Sequence, residues 1–160
     1  MPQYVVTAVL APRVGASEVV ISGLNDNGAV THCLSTVAYA QGRYEEAERL
    51  THECEQACRA TDVHSEIQWR SIRAKAPAHR GAFDEAEQLG REALTLVETG
   101  DFLLAHAEAL MDFAEVLELA GRSEDAVPVL EEAVRRHEQK ENLLGANRAR
   151  EQLDRVATSL

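Results

Sequence analysis

The sequence predicts an all-α fold, a superhelix of about three helix–turn–helix repeats closed by a C-terminal capping helix. Three observations predict it. The segments GRYEEAERL from Gly42, GAFDEAEQL from Gly81 and GRSEDAVPVL from Gly121 are near copies. Within each, apolar and small residues return at helical spacing. The composition is 45% hydrophobic but only 4% aromatic, so Ala and Leu must build the core with Glu and Arg outside, which is helix chemistry.

The elements follow in chain order. Met1–Val30 does not fit the repeat: it carries three formal charges (Arg13, Glu18, Asp26), the β-branched runs YVV and EVVI, and the turn-like NDNG. It is expected as a separate segment, residues 1–30, strand-like or loosely ordered. Residues 31–160 form the repeat domain. An open solenoid end needs cover, either from those thirty residues or from a second copy of the chain, which would make a homodimer through the N-terminal end.

The first repeat spans about 31–60, with a short first helix near Thr31–Gln41 and a second whose buried stripe is Tyr44, Ala47, Thr51, Cys54 and Cys58. The second repeat, about 63–98, repeats that stripe as Phe83, Ala86, Gly90, Ala93 and Val97. The third, about 101–139, starts on Asp101 as helix cap, draws core contacts from Phe102, Leu103, Leu110, Phe113, Leu117 and Leu119, and continues the stripe as Ser123, Ala126, Leu130, Ala133 and His137. Gly42, Gly81 and Gly121 each end a first helix, because glycine enters the left-handed backbone of a helix C-terminus without steric cost. Gly100 is expected to close the helix before Asp101. Pro77 and Pro128 fall inside helices, where each costs about 3 kcal/mol in undistorted geometry; a kink near Arg73–Pro77 and a distorted turn near Glu124–Pro128 are expected. The capping helix, about 143–159, buries Ala146, Ala149, Leu153, Val156 and Leu160 and wets Arg148, Arg150, Glu151, Asp154 and Arg155.

This pattern resembles the tetratricopeptide repeat (TPR). The family's second-helix element, a small Ala followed four residues on by a core residue, matches Ala47/Thr51, Ala86/Gly90 and Ala126/Leu130; its first-helix element matches best through Leu110, Phe113, Ala114 and Leu117. The long period, with WRSIRAK (Trp69–Lys75) and FAEVLELAGRSEDA (Phe113–Ala126), is similar to the long-helix subgroup found in arms of bacterial maltose-regulator-type transcriptional activators and multidomain adenylate cyclases. The resemblance implies a right-handed superhelix whose first helices line a concave groove for peptides or partner helices, in a regulatory or signalling context. By the family's register that groove shows His32, Thr36 and Tyr39, then Gln68, Ser71 and Lys75, then Glu108, Met111, Glu115 and Glu118. Met111 among three glutamates implies an apolar anchor with basic neighbours in the partner.

The remaining chemistry is sparse. A net charge of −11 argues against a nucleic-acid backbone and an anionic membrane as partners, and no run reaches the ~18 apolar residues of a membrane span. The three Cys lack disulfide or zinc spacing, which fits a reducing cytoplasm, and Tyr4–Ala11 has no basic residue before it to make a secretory signal. Cys54 and Cys58, flanked by His52 and His64, have the spacing of a redox or metal pair, but both lie on the buried stripe, where a small apolar side chain is wanted. Scattered histidines without a nucleophile in an elbow turn, and no phosphate-binding or zinc-protease motif, leave no catalytic residue and no cofactor to name. The reading is a non-enzymatic module that binds protein, with small-ligand sensing and thiol or metal chemistry at Cys54/Cys58 as the alternatives.

Overall fold

The computed structural model describes residues 6–9, 18–21, 27–57 and 62–159, with side chains from His32 onward. Two short strands, β1 (Val6–Val9) and β2 (Glu18–Ile21), pair antiparallel with Val6 opposite Ile21 and Val9 opposite Glu18. Seven helices follow among the described residues: α1 (Asn27–Ala40), α2 (Tyr44–Ala57), α3 (Val63–His79), α4 (Phe83–Val97), α5 (Leu103–Leu119), α6 (Ser123–Gln139) and α7 (Leu143–Thr158). They stack as hairpins α1–α2, α3–α4 and α5–α6, with α7 against α6; α1 also touches α3, and α3 touches α5. The array is a helical-repeat solenoid.

The repeat is visible in burial. Ala47, Ala86 and Ala126 occupy one stripe position and all are buried, as are Cys54, Ala93 and Ala133 two steps along. Small side chains there let helices approach closely, while Ile67, Val97, Leu110, Phe113, Val116, Leu117 and Leu130 fill the space between hairpins. Each first helix closes the same way. Gly42, Gly81 and Gly121 have φ of 76°, 83° and 72°, and the next N–H reaches back five residues: Arg43 to Ala38 O, Ala82 to Pro77 O, Arg122 to Leu117 O at 2.9, 3.0 and 2.8 Å. This is the closure that satisfies orphan carbonyls at a helix end. The α6–α7 junction copies it with Asn142 N–H on His137 O at 2.9 Å, but Glu141 stands at φ 55° where the others have glycine.

Several expectations are corrected. The first helix starts at Asn27, not Thr31; Asn27 and Gly28 of the turn-like NDNG lie in its first turn, where backbone N–H groups lack intrahelical partners anyway. Asp101 does not cap α5: the cap position is Phe102, with no side-chain bond to the helix. Gly100 does not close α4, which ends through the right-handed Glu98; Gly100 is small because the Phe102 ring lies where its Cβ would stand, 2.6 Å away. Phe83, first on its stripe, is 36% exposed. Pro77 and Pro128 do fall inside helices, as expected, and α3 and α6 continue past them. Leu160 and Cys58 lie outside the described residues.

Helix α7 has the burial pattern of an end. Ala107, Leu110 and Ala114 of α5 are buried, and the residues forty later, Asn147, Arg150 and Asp154, are exposed. The face that α5 gives to a second helix is wet in α7.

Candidate functional site

The first helices of the hairpins lie side by side, and their N-terminal halves enclose a cleft of about 410 Å³. One wall is His32 and Thr36 from α1 with His64, Gln68 and Ser71 from α3; the other is Leu104, Ala105, Glu108 and Ala109 from α5, with Arg148 of α7 at the lip. Ile67, Ile72, Lys75 and Asp112 make the floor. Residues at 104, 105, 108, 109 and 112 share the cleft because steps of three and four residues hold one helix face.

The C-terminal halves are closed by a polar cluster. Lys75 is buried with its Nζ 2.7 Å from Asp112 Oδ1, 3.4 Å from Glu115 Oε2 and 4.0 Å above the Tyr39 ring. Tyr39 Oη donates to Glu115 Oε1 at 2.6 Å and therefore accepts from His79 Nε2, 2.8 Å away. Tyr44 of α2 stacks on His79 at 3.7 Å. Burial works against the Lys75 ammonium, but Asp112 and Glu115 outweigh it and raise its pKa. Burial pushes the Asp112 carboxyl above the usual carboxylate range and the Tyr39 phenol above its own. His32 is held down to about 4, by burial first and then by His64 and Lys75.

Of the residues expected in the groove, His32, Thr36, Gln68, Ser71, Lys75 and Glu108 line this cleft. The other four do not. Met111 is buried in the core with Leu110, Phe113 and Leu130, one helical step of about 100° away from Asp112, which holds the cleft position instead. Tyr39 and Glu115 belong to the closing cluster, and Glu118 accepts from Gln152 Nε2 at 2.7 Å. The expected acidic surface is thus consumed by internal partners. Sequence reading missed Asp112, His64, Leu104 and Arg148; following the 104–108–112 line rather than 108–111–115 finds the first and third.

A wider depression of about 680 Å³ runs along the exposed face of α4, past Asp84, Gln88, Arg91 and Thr95. Its charges pair along and between helices, Arg91 with Glu87 and Arg70 with Glu92, and Leu96 is its one aliphatic contact. The smaller cleft is the better candidate, because it joins several elements around an apolar strip. Cys54 is buried on the α2 stripe, and among the described residues no group of three His, Cys, Asp or Glu is placed to hold a metal ion. No helix among them is long and apolar enough to cross a membrane.

Comparison with known proteins agrees with this architecture. Residues 29–61 match the family model of the tetratricopeptide repeat; the match falls on α1 and α2, the repeat whose first helix looked short. The crystal structure of a TPR-like protein from Chlorobium tepidum TLS is similar, with a TM-score of 0.58 and 18% identity, covering 82% of this chain and 94% of that one. At that identity the likeness is one of fold. No curated protein matches the chain.

Proposed function

From a chain that carries a tetratricopeptide repeat within a TPR-like helical array, we propose a non-catalytic docking module of a regulatory or signalling system, whose cleft takes an extended, largely apolar and uncharged segment of a protein partner. The observation that carries the reading is how charge and apolar surface divide around the cleft. Its carboxylates are engaged: Asp112 with Lys75 at 2.7 Å and Glu108 with Arg148 at 3.3 Å. Its one leucine is bare, Leu104 at 46% exposed, and outside it, at the start of the helix that carries Arg148, Leu143 and Leu144 are 72% and 74% exposed. The basic neighbours expected from sequence lose their partners, while the apolar anchor moves from Met111 to this lip.

Spacing supports an extended occupant. Leu104 and Leu144 each stand one turn before the paired Glu108 and Arg148, so they share one edge of the cleft. Packed helices lie about 8–10 Å apart, which an extended chain covers in about three residues. In an extended chain of the polyproline-II form, with three residues per turn, aliphatic side chains at every third position share one face and would meet successive first helices. Affinity would come from these few anchors rather than from area.

Fluorescence polarisation with labelled peptides of about ten residues tests this. One series is uncharged with leucine at every third position; two others add flanking Lys or flanking Glu. The uncharged series binds with little salt dependence. Leu104→Asp and Leu144→Asp each weaken it about tenfold or more, whereas Phe83→Asp, at an exposed aromatic of α4, leaves it unchanged. Binding by the Lys series alone, weakened by salt, would sink this choice of partner.

A cleft of this volume also has the size of a small-molecule site. A thermal-shift screen distinguishes that reading, since a compound selective for the folded chain raises its melting temperature.

A further inference from the structure

We infer that His137 is a proton-operated release for α7: binding a proton there removes the cap of α7 and pulls Glu108 away from Arg148 at the lip of the cleft. His137, on α6, is fully buried. Asn142 caps α7 by accepting from Gly145 N–H through Oδ1 at 3.0 Å, so its amide nitrogen is the atom that faces His137 Nδ1 at 3.2 Å. An amide NH₂ only donates. Nδ1 must therefore accept, which places the imidazole proton on Nε2. That nitrogen has no hydrogen-bond partner and looks toward Glu108 Oε1 at 3.6 Å.

A second proton would go to Nδ1 and set donor against donor at Asn142. Turning the Asn142 amide relieves His137 but puts NH₂ against Gly145 N–H. Each orientation keeps one bond and forfeits the other, so the cap of α7 and a charged His137 cannot both be satisfied, and the flip that serves the ring gives up the cap. Ring, amide and the Gly145 backbone are packed closely together. A Cβ on Gly145 would stand 2.4 Å from His137 Nδ1 and 2.7 Å from Asn142 Nδ2.

Two charged groups face the ring from the elements packed on α6: Glu108 from α5 and Arg148 from α7. They oppose one another, and burial keeps the ring neutral below its ordinary range. Once charged, His137 competes with Arg148 for Glu108, whose bonds to Arg148 are long, at 3.3 and 3.5 Å. Both of those residues line the cleft, so the release reaches the proposed docking site, and only that consequence rests on the docking reading.

The test uses the full chain without ligand. Ring ¹⁵N shifts report the tautomer of His137, and hydrogen exchange reports Gly145 N–H and the following turn of α7. Expected are the Nε2–H tautomer at neutral pH and protection of Gly145 that falls about tenfold or more, beyond the intrinsic pH effect, in step with the ring's own protonation as the pH is lowered. Asn142→Asp is the second variant: its carboxylate caps Gly145 with one oxygen and accepts from protonated His137 with the other. It raises the pH at which the ring titrates and holds Gly145 protected throughout. An Nδ1–H tautomer, pH-independent protection in the wild type, or equal loss in Asn142→Asp overturns the inference. Peptide binding at neutral pH reads the cleft separately, so failure of one leaves the other standing.

Discussion

Tyr39 Oη lies 2.6 Å from Glu115 Oε1, a hydrogen bond that carries α1 over α3 to α5. It joins the first repeat to the third across the second. With Lys75 beneath the ring, this contact shuts one half of the concave face and leaves the other open. Tyr39→Phe removes a bond to a charged acceptor and costs about 1–2 kcal/mol. Urea unfolding followed by Trp69, the chain's single tryptophan, measures it. A double-mutant cycle with Glu115→Gln should show coupling, and additive effects would mean that the two side chains act independently.

Gly90 is buried on the α4 stripe, where the other repeats have Thr51 and Leu130. A Cβ there would meet Phe113 Cδ2 at 2.5 Å. Gly90→Ala gains helix propensity of up to about 1 kcal/mol but displaces a core ring, so a net loss of about 1–2 kcal/mol is expected. Calorimetric melting decides the sign; a stabilised variant would show that Phe113 moves freely.

Glu141 adopts φ 55° at the α6–α7 turn, where the three preceding turns of this form use glycine. A left-handed residue with a side chain costs about 1–2 kcal/mol, part of which glycine returns through a freer unfolded chain. Glu141→Gly should stabilise by about 0.5–1 kcal/mol. A denaturation midpoint that stays or falls contradicts this.

Acid should destabilise the chain through its histidines. His32 titrates at about 4 when folded against 6.5 otherwise, and burial lowers His79, His106 and His137 as well. The unfolded chain takes up protons first, so each contribution is whole above the ordinary histidine range and is lost as the pH falls toward that group's folded pKa, about 4 for His32. For His32 alone the loss near pH 5 is about 2 kcal/mol. Asp112, raised by burial, works the other way, while Asp62 and Glu87, held low by Ser65 and Arg122 respectively, add further loss in the carboxylate range. Urea unfolding at neutral pH and near pH 5 reads the sum. His32→Gln should flatten the dependence, and a stability unchanged between the two contradicts the assignment.

What the sequence revealed and what it hid follow from range. Gly42, Gly81 and Gly121 were legible because only glycine enters the left-handed region cheaply; Glu141 makes the same turn and leaves no mark. The Ala47–Ala86–Ala126 position was legible because helical spacing repeats it. Met111 and Asp112 were exchanged because a helix periodicity fixes a face only to within one residue, and the neighbours that fix its rotation are far away in the chain. Glu115 looked solvated, since nothing local announces Tyr39, 76 residues distant, as its donor. His137 was legible as a stripe residue, but its neighbour Glu108 on α5 was not, because helical spacing does not say what lies on the facing helix.

The account stands most directly on where a partner lands. Chemical-shift mapping of ¹⁵N-labelled chain, titrated with an uncharged leucine-bearing peptide, reads this residue by residue. The predicted result is perturbation concentrated at His64, Gln68, Leu104, Ala105, Leu144 and Arg148, with Gln88, Arg91 and Thr95 of α4 unmoved. Shifts confined to α4, or spread evenly over the surface, would contradict it.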